Sequence, residues 1–532
     1  MRQAAAEGKR FRLRGRLSDA LAVFLGALFL RLGGNTPPFD DVYHLKRIAW
    51  SAANFPRVLG FDPDRGEGGA FCPWPPLYDF TLGVVSHMVN VQWVPPIVFA
   101  LFAAGVTLVM SRYGWLAGVT AGATVALAPY LLSVSMRGHV DHHYVEPLLM
   151  LLILGATVQR RWIALGLVIA AGLLVQPALL IAAAIAFALI FFTVEDRQSC
   201  LSFLIAAAIV LAYRWTRPDG YPDSAWFLGY PHAGALTGAA VALMIRGARG
   251  TGTAPSLLAG LLTMFAFPAA AASLFTGVGF FGSDPWLSSI VEFQPMFRNR
   301  ASIGTDLANL GGGAALAFVI WKRHREVSVF AIVYLVLSIS SRRFLVPGIP
   351  LFAIAGALAL ADAKKRSWQI AFAAATLLPP LLYLLHAGLP QRRWPLIEKL
   401  TQDIRALPPG RVLAPWSLGH AIDVLGRHPV IVDNFGSMPG QAVFDNANDA
   451  MLTTHESTLL RYCRSRNVRY LVLTLPDSGL PSGAANLGVD PKLYQGTPLA
   501  ERTVWWRLYR NGETIPGFRL VGDGMIRIWE IE

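Results

Sequence analysis

Long apolar runs alternate with short polar stretches along most of the chain. They recur from Leu21 to about Leu385, with Gly, Pro or charged residues between them. A helix that crosses a bilayer needs about 17 to 25 mostly apolar residues, and the pattern provides about 13 such segments. We therefore expect a polytopic α-helical membrane protein. The composition agrees, since 54% of the 532 residues are hydrophobic and 15% are charged.

The pattern changes near residue 390. Residues 390–532 carry more charge, turn signals at residues 407–410 and short β-rich runs such as residues 469–474. These features are typical of a small soluble α/β domain. We therefore expect a transmembrane domain over residues 1–389 and a soluble domain over residues 390–532.

Basic residues predict the orientation in the membrane. Residues 9–16 are rich in Lys and Arg, and the apolar run after them has no small-residue cleavage site, so we expect an uncleaved first span with a cytoplasmic N-terminus. Alternating spans then place the later basic turns inside, as the positive-inside rule requires. Residues 77–91, after Pro75 and Pro76, are ambiguous, because a full span rather than an interfacial helix there would reverse this orientation. The segments expected outside are the C-terminal domain and the loops 34–94, 134–146 and 276–309.

Charge and cysteine usage exclude other classes of protein. The formal net charge is +13, but the basic residues lie mostly between apolar runs, so membrane orientation explains them and no nucleic-acid partner is expected. Cys72, Cys200 and Cys463 lie far apart, which indicates neither a zinc site nor a disulfide framework. No organelle or retention signal is visible. We expect a prokaryotic inner or plasma membrane, with the C-terminal domain on the periplasmic side.

Ionisable residues cluster in the three predicted outer loops. The first loop contains Asp40 and Asp41, the second contains residues 138–146 with an Asp-His-His sequence, and the third contains Glu292. An Asp-x-His pair offers two ligands to one Mn²⁺ or Mg²⁺, and a distant Asp completes the set. Alternatively, the first-loop Asp caps a helix and the histidines lie at the interface without a metal. The spacing alone leaves both interpretations open.

These elements, in this order and topology, resemble the catalytic subunit family of oligosaccharyltransferases, of the prokaryotic single-subunit type. That family consists of type C glycosyltransferases with about 13 spans and an outer C-terminal domain. Asp40, followed by the Tyr-His-Leu-Lys-Arg sequence of residues 43–47, is similar to the first acidic motif, with Asp41 as the alternative register. Residues 141–143 are similar to the Asp-x-His form of the second motif. Residues 289–295 are similar to the external-loop motif.

The resemblance implies a role for each matching residue. Asp40, Asp141 and His143 would bind Mn²⁺ or Mg²⁺. Asp40 and Glu292 would be the catalytic carboxylates that hold the acceptor amide. Arg343 would contact the lipid diphosphate. The substrate-binding residues would be Arg343, Arg342, Trp416, Ser417, Gly419, His44 and Arg47.

The C-terminal domain departs from the family at one motif. Residues 412–420 occupy the place of a Trp-Trp-Asp-Tyr-Gly signature, and only Trp416 and Gly419 match it. Ser417 replaces the Asp that would accept the hydroxyl of the acceptor's Ser or Thr. A serine lacks the charge of a strong acceptor, which puts normal sequon recognition in doubt. A buried Trp beside a tight Gly turn is the alternative interpretation.

The resemblance implies a metal-dependent enzyme of the EC 2.4 class. It would transfer an oligosaccharide from a polyprenyl-diphosphate carrier to an asparagine of an acceptor protein or peptide, and would act in the bilayer as a single subunit. Carboxylates that accept hydrogen bonds from both amide N–H groups would twist the acceptor amide. Its nitrogen is otherwise a poor nucleophile because of resonance with the carbonyl.

Two alternatives remain. A type C glycosyltransferase with a lipid, glycan or hydroxyl acceptor keeps the fold and changes the substrate. A transporter or assembly scaffold is the other, but transporters tend to place ionisable residues near the bilayer midplane of repeated halves. The sequence has no such repeat, and its acidic residues lie in loops, which favours surface chemistry.

Overall fold

A computed structural model of the protein describes residues 2–33, 39–193, 196–248, 252–279, 285–290, 293–298, 300–389, 395–438 and 440–532. The described residues are mainly helical and fall into two compact units. The first unit comprises Met1–Asn35, Met88–Phe281 and Glu292–Gln391. The second comprises Thr36–His87, Gly282–Val291 and Arg392–Glu532. The second unit therefore combines the C-terminal region with two earlier segments of the chain.

The helices are numbered along the chain. They are α1 Arg2–Arg31, α2 Phe39–Ala53, α3 Leu77–Val85, α4 Val94–Met110, α5 Trp115–Leu127, α6 Pro129–Ser133, α7 Glu146–Val158, α8 Trp162–Val175, α9 Leu180–Thr193, α10 Cys200–Trp215, α11 Tyr230–Arg246, α12 Thr253–Phe265, α13 Ala270–Gly279, α14 Pro285–Ser289, α15 Arg300–Leu310, α16 Gly313–Val319, α17 Arg325–Ser340, α18 Leu345–Asp362, α19 Arg366–Ala387, α20 Pro395–Arg405, α21 Gly419–Val424, α22 Gln441–Leu452, α23 Glu456–Ser465, α24 Pro476–Asn486, α25 Pro498–Arg502 and α26 Val504–Trp506. The strands are β1 Phe61–Asp62, β2 Ala70–Phe71, β3 Arg411–Leu413, β4 Val468–Leu473, β5 Phe518–Gly522 and β6 Arg527–Ile531.

The first unit is a body of apolar helices around α18. This helix packs against α5, α7, α16, α17 and α19, and almost all of its side chains are buried. A helix that is apolar on every face is stable only when other elements or lipid surround it, which explains its central position. Around it, α1 packs on α4, α4 on α5, α8 on α10, and α10 on α11.

Four helices in the described part of the chain are long and apolar enough to cross a membrane. They are Val91–Tyr113, Arg197–Trp215, Arg342–Asp362 and Arg366–Ala387. Five shorter apolar helices accompany them: Trp115–Leu127, His142–Val158, Trp162–Val175, Pro177–Thr193 and Thr253–Phe265. The expected apolar helical body is therefore confirmed, and the number of about 13 spans stays a prediction.

The helix that follows Pro75 and Pro76 is short. α3 has nine residues, which at about 1.5 Å of rise each gives about 14 Å, against about 30 Å for the hydrocarbon core of a bilayer. It is too short to cross a membrane. Of the two alternatives for residues 77–91, the structure has the short helix and not the full span.

The second unit is built on a four-stranded sheet with the strand order β3-β4-β6-β5. β3 and β4 are parallel, while β4 with β6 and β5 with β6 are antiparallel. The crossover between the parallel strands contains α21, α22 and α23. The predicted strand at residues 469–474 is confirmed as β4. Apolar side chains from α20, α21 and the sheet form the core, among them Ile404, Val412, Ile422 and Val472.

Candidate functional site

The Asp-His-His sequence of the second predicted loop lies immediately before an apolar helix of the first unit. Asp141 has an extended backbone, His142–Tyr144 form one 3-10 turn, and α7 begins at Glu146 with a proline next to it. A proline favours the first positions of a helix, because its fixed φ suits a helix and the N–H that it lacks would have no intrahelical partner there. The turn thus brings four polar side chains into one cluster.

The distances in this cluster place carboxylates against both imidazoles. Asp141 Oδ1 lies 2.8 Å from His142 Nδ1, and Asp141 Oδ2 lies 3.3 Å from His143 Nε2. Glu146 Oε1 lies 2.9 Å from His143 Nδ1. Gln176, at the end of α8, places its Nε2 2.9 Å from His142 Nε2. The predicted ligands Asp141 and His143 therefore lie side by side.

The cluster is suitable for a divalent cation. His142, His143 and Glu146 each offer a ligand atom, and these atoms all lie within 4.8 Å of one another. Carboxylate oxygens and imidazole nitrogens together suit Mn²⁺, and oxygen ligands suit Mg²⁺. The side chains of Asp40 and Asp41, and all of Glu292, lie outside the described residues, so their predicted roles stay predictions.

The two predicted phosphate-binding arginines have different partners. The Arg343 guanidinium donates from Nη2 to Glu146 Oε1 at 2.6 Å. Arg342 instead pairs with Asp306, with Nε 2.9 Å from Oδ1 and Nη2 3.1 Å from Oδ2, and it also donates to Ser302 Oγ at 2.5 Å. Both arginines are buried, as are Glu146 and Asp306. Only Arg343 therefore joins the cluster that contains Asp141 and His143.

The Arg342–Asp306 pair also holds a backbone segment in place. The Arg342 N–H donates to the Gln294 carbonyl at 3.0 Å, and the Phe297 N–H donates to Asp306 Oδ2 at 2.9 Å. The segment 293–298, which includes the last three residues of the third predicted motif, is therefore fixed to the turn before α18 and to α15.

In the second unit, His44 and Arg47 share one carboxylate. They lie one helical turn apart on α2, and both contact Asp79 of α3, His44 through Nδ1 at 2.6 Å and Arg47 through a guanidinium nitrogen. Arg47 also donates from Nε to the Leu59 carbonyl at 3.0 Å. The His44 ring stacks on Trp74 with 3.9 Å between centroids. These contacts fix the orientation of α2, the helix that carries Asp40.

Trp416 and Ser417 line a pocket of about 310 Å³ in the second unit. The Trp416 ring meets Trp286 edge to face, with 5.9 Å between centroids. None of the described residues that line the pocket is charged. They are Pro415, Trp416, Ser417, Asn448, Met451, Thr474, Ser478, Gly479, Ser482, Gly483, Asn486 and Trp505. The pocket is therefore neutral, with aromatic, hydroxyl and amide groups.

Gly419 has a steric role. A Cβ at this position would lie 2.4 Å from the Cα of Asp433 and 2.5 Å from the carbonyl oxygen of Val432, so only glycine permits this close approach. The Asn434 side chain joins the same two segments, since its Oδ1 accepts from the His420 N–H at 3.2 Å. Gly419 therefore shapes the turn that presents Trp416 and Ser417.

Charge pairs between the half-buried Lys46 or the buried Arg65 and buried carboxylates tie α2 and the loop after it to the C-terminal part of the second unit. Lys46 Nζ lies 2.8 Å from Asp62 and 2.9 Å from Asp423, and the Arg65 guanidinium pairs with Asp433. Burial, reinforced by Asp62, raises the pKa of Asp423 to about 6 even though Lys46 opposes the shift. Burial would also raise the pKa of Asp433, but Arg65 outweighs it and holds this pKa below its usual value.

The residues that sequence reasoning missed include Glu146, Asp306 and Gln176. Glu146 is the last residue of the predicted loop 134–146, and its position three residues after His143 at a helix start was the available signal. Asp306 and Gln176 are distant in sequence from their partners. A single sequence contains no local signal for such contacts.

No protein-family model and no curated protein matches the sequence. Its structure is similar to that of the oligosaccharyltransferase AglB of Archaeoglobus fulgidus in complex with an inhibitory peptide and a dolichol-phosphate, at 18% identity and a TM-score of 0.78, over 96% of this chain and 79% of that chain. The apo form of the Archaeoglobus fulgidus oligosaccharyltransferase is 17% identical, with a TM-score of 0.78 over 96% of this chain and 80% of that chain. The complex of that enzyme with Zn and sulfate is 18% identical, with a TM-score of 0.68 over 95% of this chain and 79% of that chain.

These matches identify the fold class. The chain has the fold of an oligosaccharyltransferase, as the sequence resemblance predicted. The particular fold is that of the archaeal enzyme AglB, over nearly the whole length of this chain.

Proposed function

We propose that the protein is an oligosaccharyltransferase that transfers an oligosaccharide from a polyprenyl-diphosphate carrier to an asparagine of an acceptor protein. The observation that carries the proposal is the cluster of Asp141, His143, Glu146 and Arg343 in a chain with the AglB fold. It combines ligands for a cation with a guanidinium suited to a phosphate.

Asp141 and His143, with Asp40 as the third ligand, would hold Mn²⁺ or Mg²⁺. The ion would act as a Lewis acid that neutralises charge on the diphosphate leaving group. Asp141 and His143 approach each other to 3.3 Å, as expected for ligands of one ion. The AglB structure with Zn and sulfate supports a cation and an anion in this fold.

Arg343 would bind the diphosphate of the donor. A guanidinium presents a planar set of N–H donors that matches phosphate oxygens better than the point charge of lysine does. Its bond to Glu146 fixes the guanidinium near His143. Arg342 was expected to assist, but its paired bonds to Asp306 favour a positioning role instead.

The acceptor asparagine would be held by the carboxylates of Asp40 and Glu292. Hydrogen bonds from both amide N–H groups would weaken the resonance that makes the nitrogen a poor nucleophile. The neutral pocket beside Trp416 and Ser417 would take the residue two positions after the asparagine. The AglB complex with an inhibitory peptide supports an acceptor peptide in this fold.

The apolar helices support a location in a membrane. We propose a prokaryotic inner or plasma membrane, about 13 spans and a periplasmic C-terminal domain, because the positive-inside rule gives this orientation. The loops 34–94, 134–146 and 276–309 would then face outside. His44 and Arg47 would orient α2 toward the substrates, and the chain would act as a single subunit.

A second candidate keeps the donor and changes the acceptor to a hydroxyl of a lipid or glycan. The observation that favours it is the absence of charge among the described lining residues of the pocket beside Ser417. A neutral pocket binds a hydroxyl more weakly than a carboxylate does.

The proposal is tested by transfer from a lipid-linked oligosaccharide to a fluorescent Asn-x-Thr peptide, with purified protein and Mn²⁺. We expect a glycopeptide to form. EDTA should abolish its formation, and a peptide with Gln in place of Asn should give no glycopeptide. Formation of a glycolipid or glycosylated sugar acceptor, with no glycopeptide, would favour the second candidate. Failure of the folded protein to transfer to any acceptor would contradict both.

A further inference from the structure

Glu146 forms two charge-assisted contacts with one oxygen. Its Oε1 lies 2.9 Å from His143 Nδ1 and accepts a hydrogen bond from Arg343 Nη2 at 2.6 Å. The Glu146 side chain is only 4% exposed, so water does not replace these partners. Neither the sequence motifs nor the resemblance assigns this residue a role.

The first contact orients the His143 ring. A carboxylate oxygen at hydrogen-bond distance from Nδ1 holds this side of the imidazole and turns Nε2 to the opposite side. Nε2 faces Asp141 Oδ2 at 3.3 Å. Glu146 thus holds the ring with Nε2 directed at the Asp141 carboxylate, which places a nitrogen ligand and an oxygen ligand side by side.

The second contact fixes the guanidinium of Arg343 relative to the same histidine. Glu146 opens α7, Arg343 lies in the turn before α18, and α7 packs on α18. Because one carboxylate oxygen serves both partners, a change in Glu146 alters the imidazole and the guanidinium together.

We propose that Glu146 is a positioning residue that couples the cation ligand His143 to the phosphate-binding group Arg343. It orients the histidine ring and holds the arginine, and it acts on the ion only through His143. The inference rests on the proposed function, since it concerns the metal and the diphosphate of that reaction.

The test measures Mn²⁺ affinity by electron paramagnetic resonance on the full-length protein in detergent, independently of transfer. A carboxylate that orients a histidine ligand is typically responsible for about 10-fold to 100-fold of metal affinity. We expect a loss of this size for Glu146→Gln. Glu146→Asp keeps the charge but shortens the side chain, and we expect an intermediate loss. The matched control is Glu326→Gln, in the first turn of α17, which should not change the affinity.

A double-mutant cycle separates a positioning role from direct ligation. If Glu146 acts through His143, then Glu146→Gln causes no further loss of Mn²⁺ affinity when His143→Ala is already present. If the two losses multiply, Glu146 is itself a ligand and the inference is wrong. A melting temperature measured without metal identifies variants that have not folded. If Glu146→Gln does not fold, Glu146→Asp replaces it in the cycle.

Steady-state kinetics test the link to Arg343. We expect Glu146→Gln to raise the KM for the lipid-linked donor several-fold and to leave the KM for the acceptor peptide unchanged. One outcome would overturn the inference but not the proposed function. In it the wild type transfers the glycan, while Glu146→Gln keeps the wild-type KM for the donor and the wild-type affinity for Mn²⁺. No wild-type transfer, with Mn²⁺ bound and the cycle as expected, would overturn the proposed function alone.

Discussion

Arg342 and Asp306 form a buried ion pair with two hydrogen bonds, 2.9 and 3.1 Å long. The same two residues hold the backbone of Gln294 and Phe297. The pair therefore fixes the end of the predicted external-loop motif, and the residues just after it, within the first unit. The resemblance implied that Arg342 binds substrate, and that role stays a prediction beside the structural contact with Asp306.

Substitution of one partner should be costly. Asp306→Asn leaves the Arg342 charge buried without a carboxylate, and removal of one partner from a buried ion pair typically destabilises a protein by about 3–5 kcal/mol. We expect a fall of this order in the free energy of unfolding in detergent. The control is Asp362→Asn, because the half-buried Asp362 pairs with an exposed Arg323, and pairs that water reaches contribute about 0–1 kcal/mol. Equal effects of the two substitutions would contradict the anchor role.

Ser417 offers a gain-of-function test of the neutral pocket. Ser417→Asp supplies a charged acceptor for a threonine hydroxyl, and charge-assisted hydrogen bonds are roughly twice as strong as neutral ones. We expect the KM for an Asn-x-Thr peptide to fall about 3-fold to 10-fold, with no change for the donor. Ser482→Asp, on another wall of the same pocket, should not reproduce the effect. An unchanged KM in Ser417→Asp would mean that the acceptor does not reach this pocket.

Gly419 should tolerate no side chain. In Gly419→Ala the new methyl group would meet backbone atoms of Val432 and Asp433 at about 2.5 Å, which cannot move cheaply. We expect a loss of about 1–3 kcal/mol in stability, together with weaker acceptor binding, since the turn presents Trp416. Gly68→Ala places its methyl group in open space and serves as the control. A melting temperature of Gly419→Ala equal to that of the control would refute the steric role.

Asp423 predicts a pH dependence of stability. Its pKa in the folded protein is about 6, above its ordinary value of 3.8, because burial and the charge of Asp62 outweigh the opposing effect of Lys46. The folded state therefore binds this proton more tightly than the unfolded state. The stability that this provides is complete below about pH 4 and is lost as the pH rises through about 6.

Asp423→Asn should remove this dependence. Between about pH 4 and 6, the melting temperature of the wild type should fall relative to that of the variant, and above about pH 7 the difference should stay constant. The measurement is thermal unfolding of both proteins across this range, in the same detergent and salt. A constant difference at every pH would contradict the raised pKa.

Much of the architecture could be predicted from the sequence because membrane helices leave a strong local signal. The apolar runs predicted the helical body, and the β-rich run predicted β4. The contacts of Asp306 and Gln176 could not be predicted, since they join residues distant in sequence that only packing brings together. The Asp-x-His spacing did predict the approach of Asp141 and His143, because residues two apart on a turn stay close.

The same limit applies to Arg342 and Arg343. As neighbours in sequence they have the same local signal, yet one pairs with Asp306 and the other with Glu146. Their different partners depend on which helix lies opposite each guanidinium. Such a difference is visible only once the helices are packed.

We propose that Asp141 and His143 hold the cation needed for glycan transfer. The most direct measurement is the rate of glycopeptide formation as Mn²⁺ is titrated into metal-free wild type, Asp141→Ala and His143→Ala. We expect saturable Mn²⁺ dependence in the wild type and, in both variants, a loss of at least about 100-fold at the Mn²⁺ concentration that saturates the wild type. Transfer by the wild type that needs no metal, or variants that transfer as well as the wild type, would contradict the account.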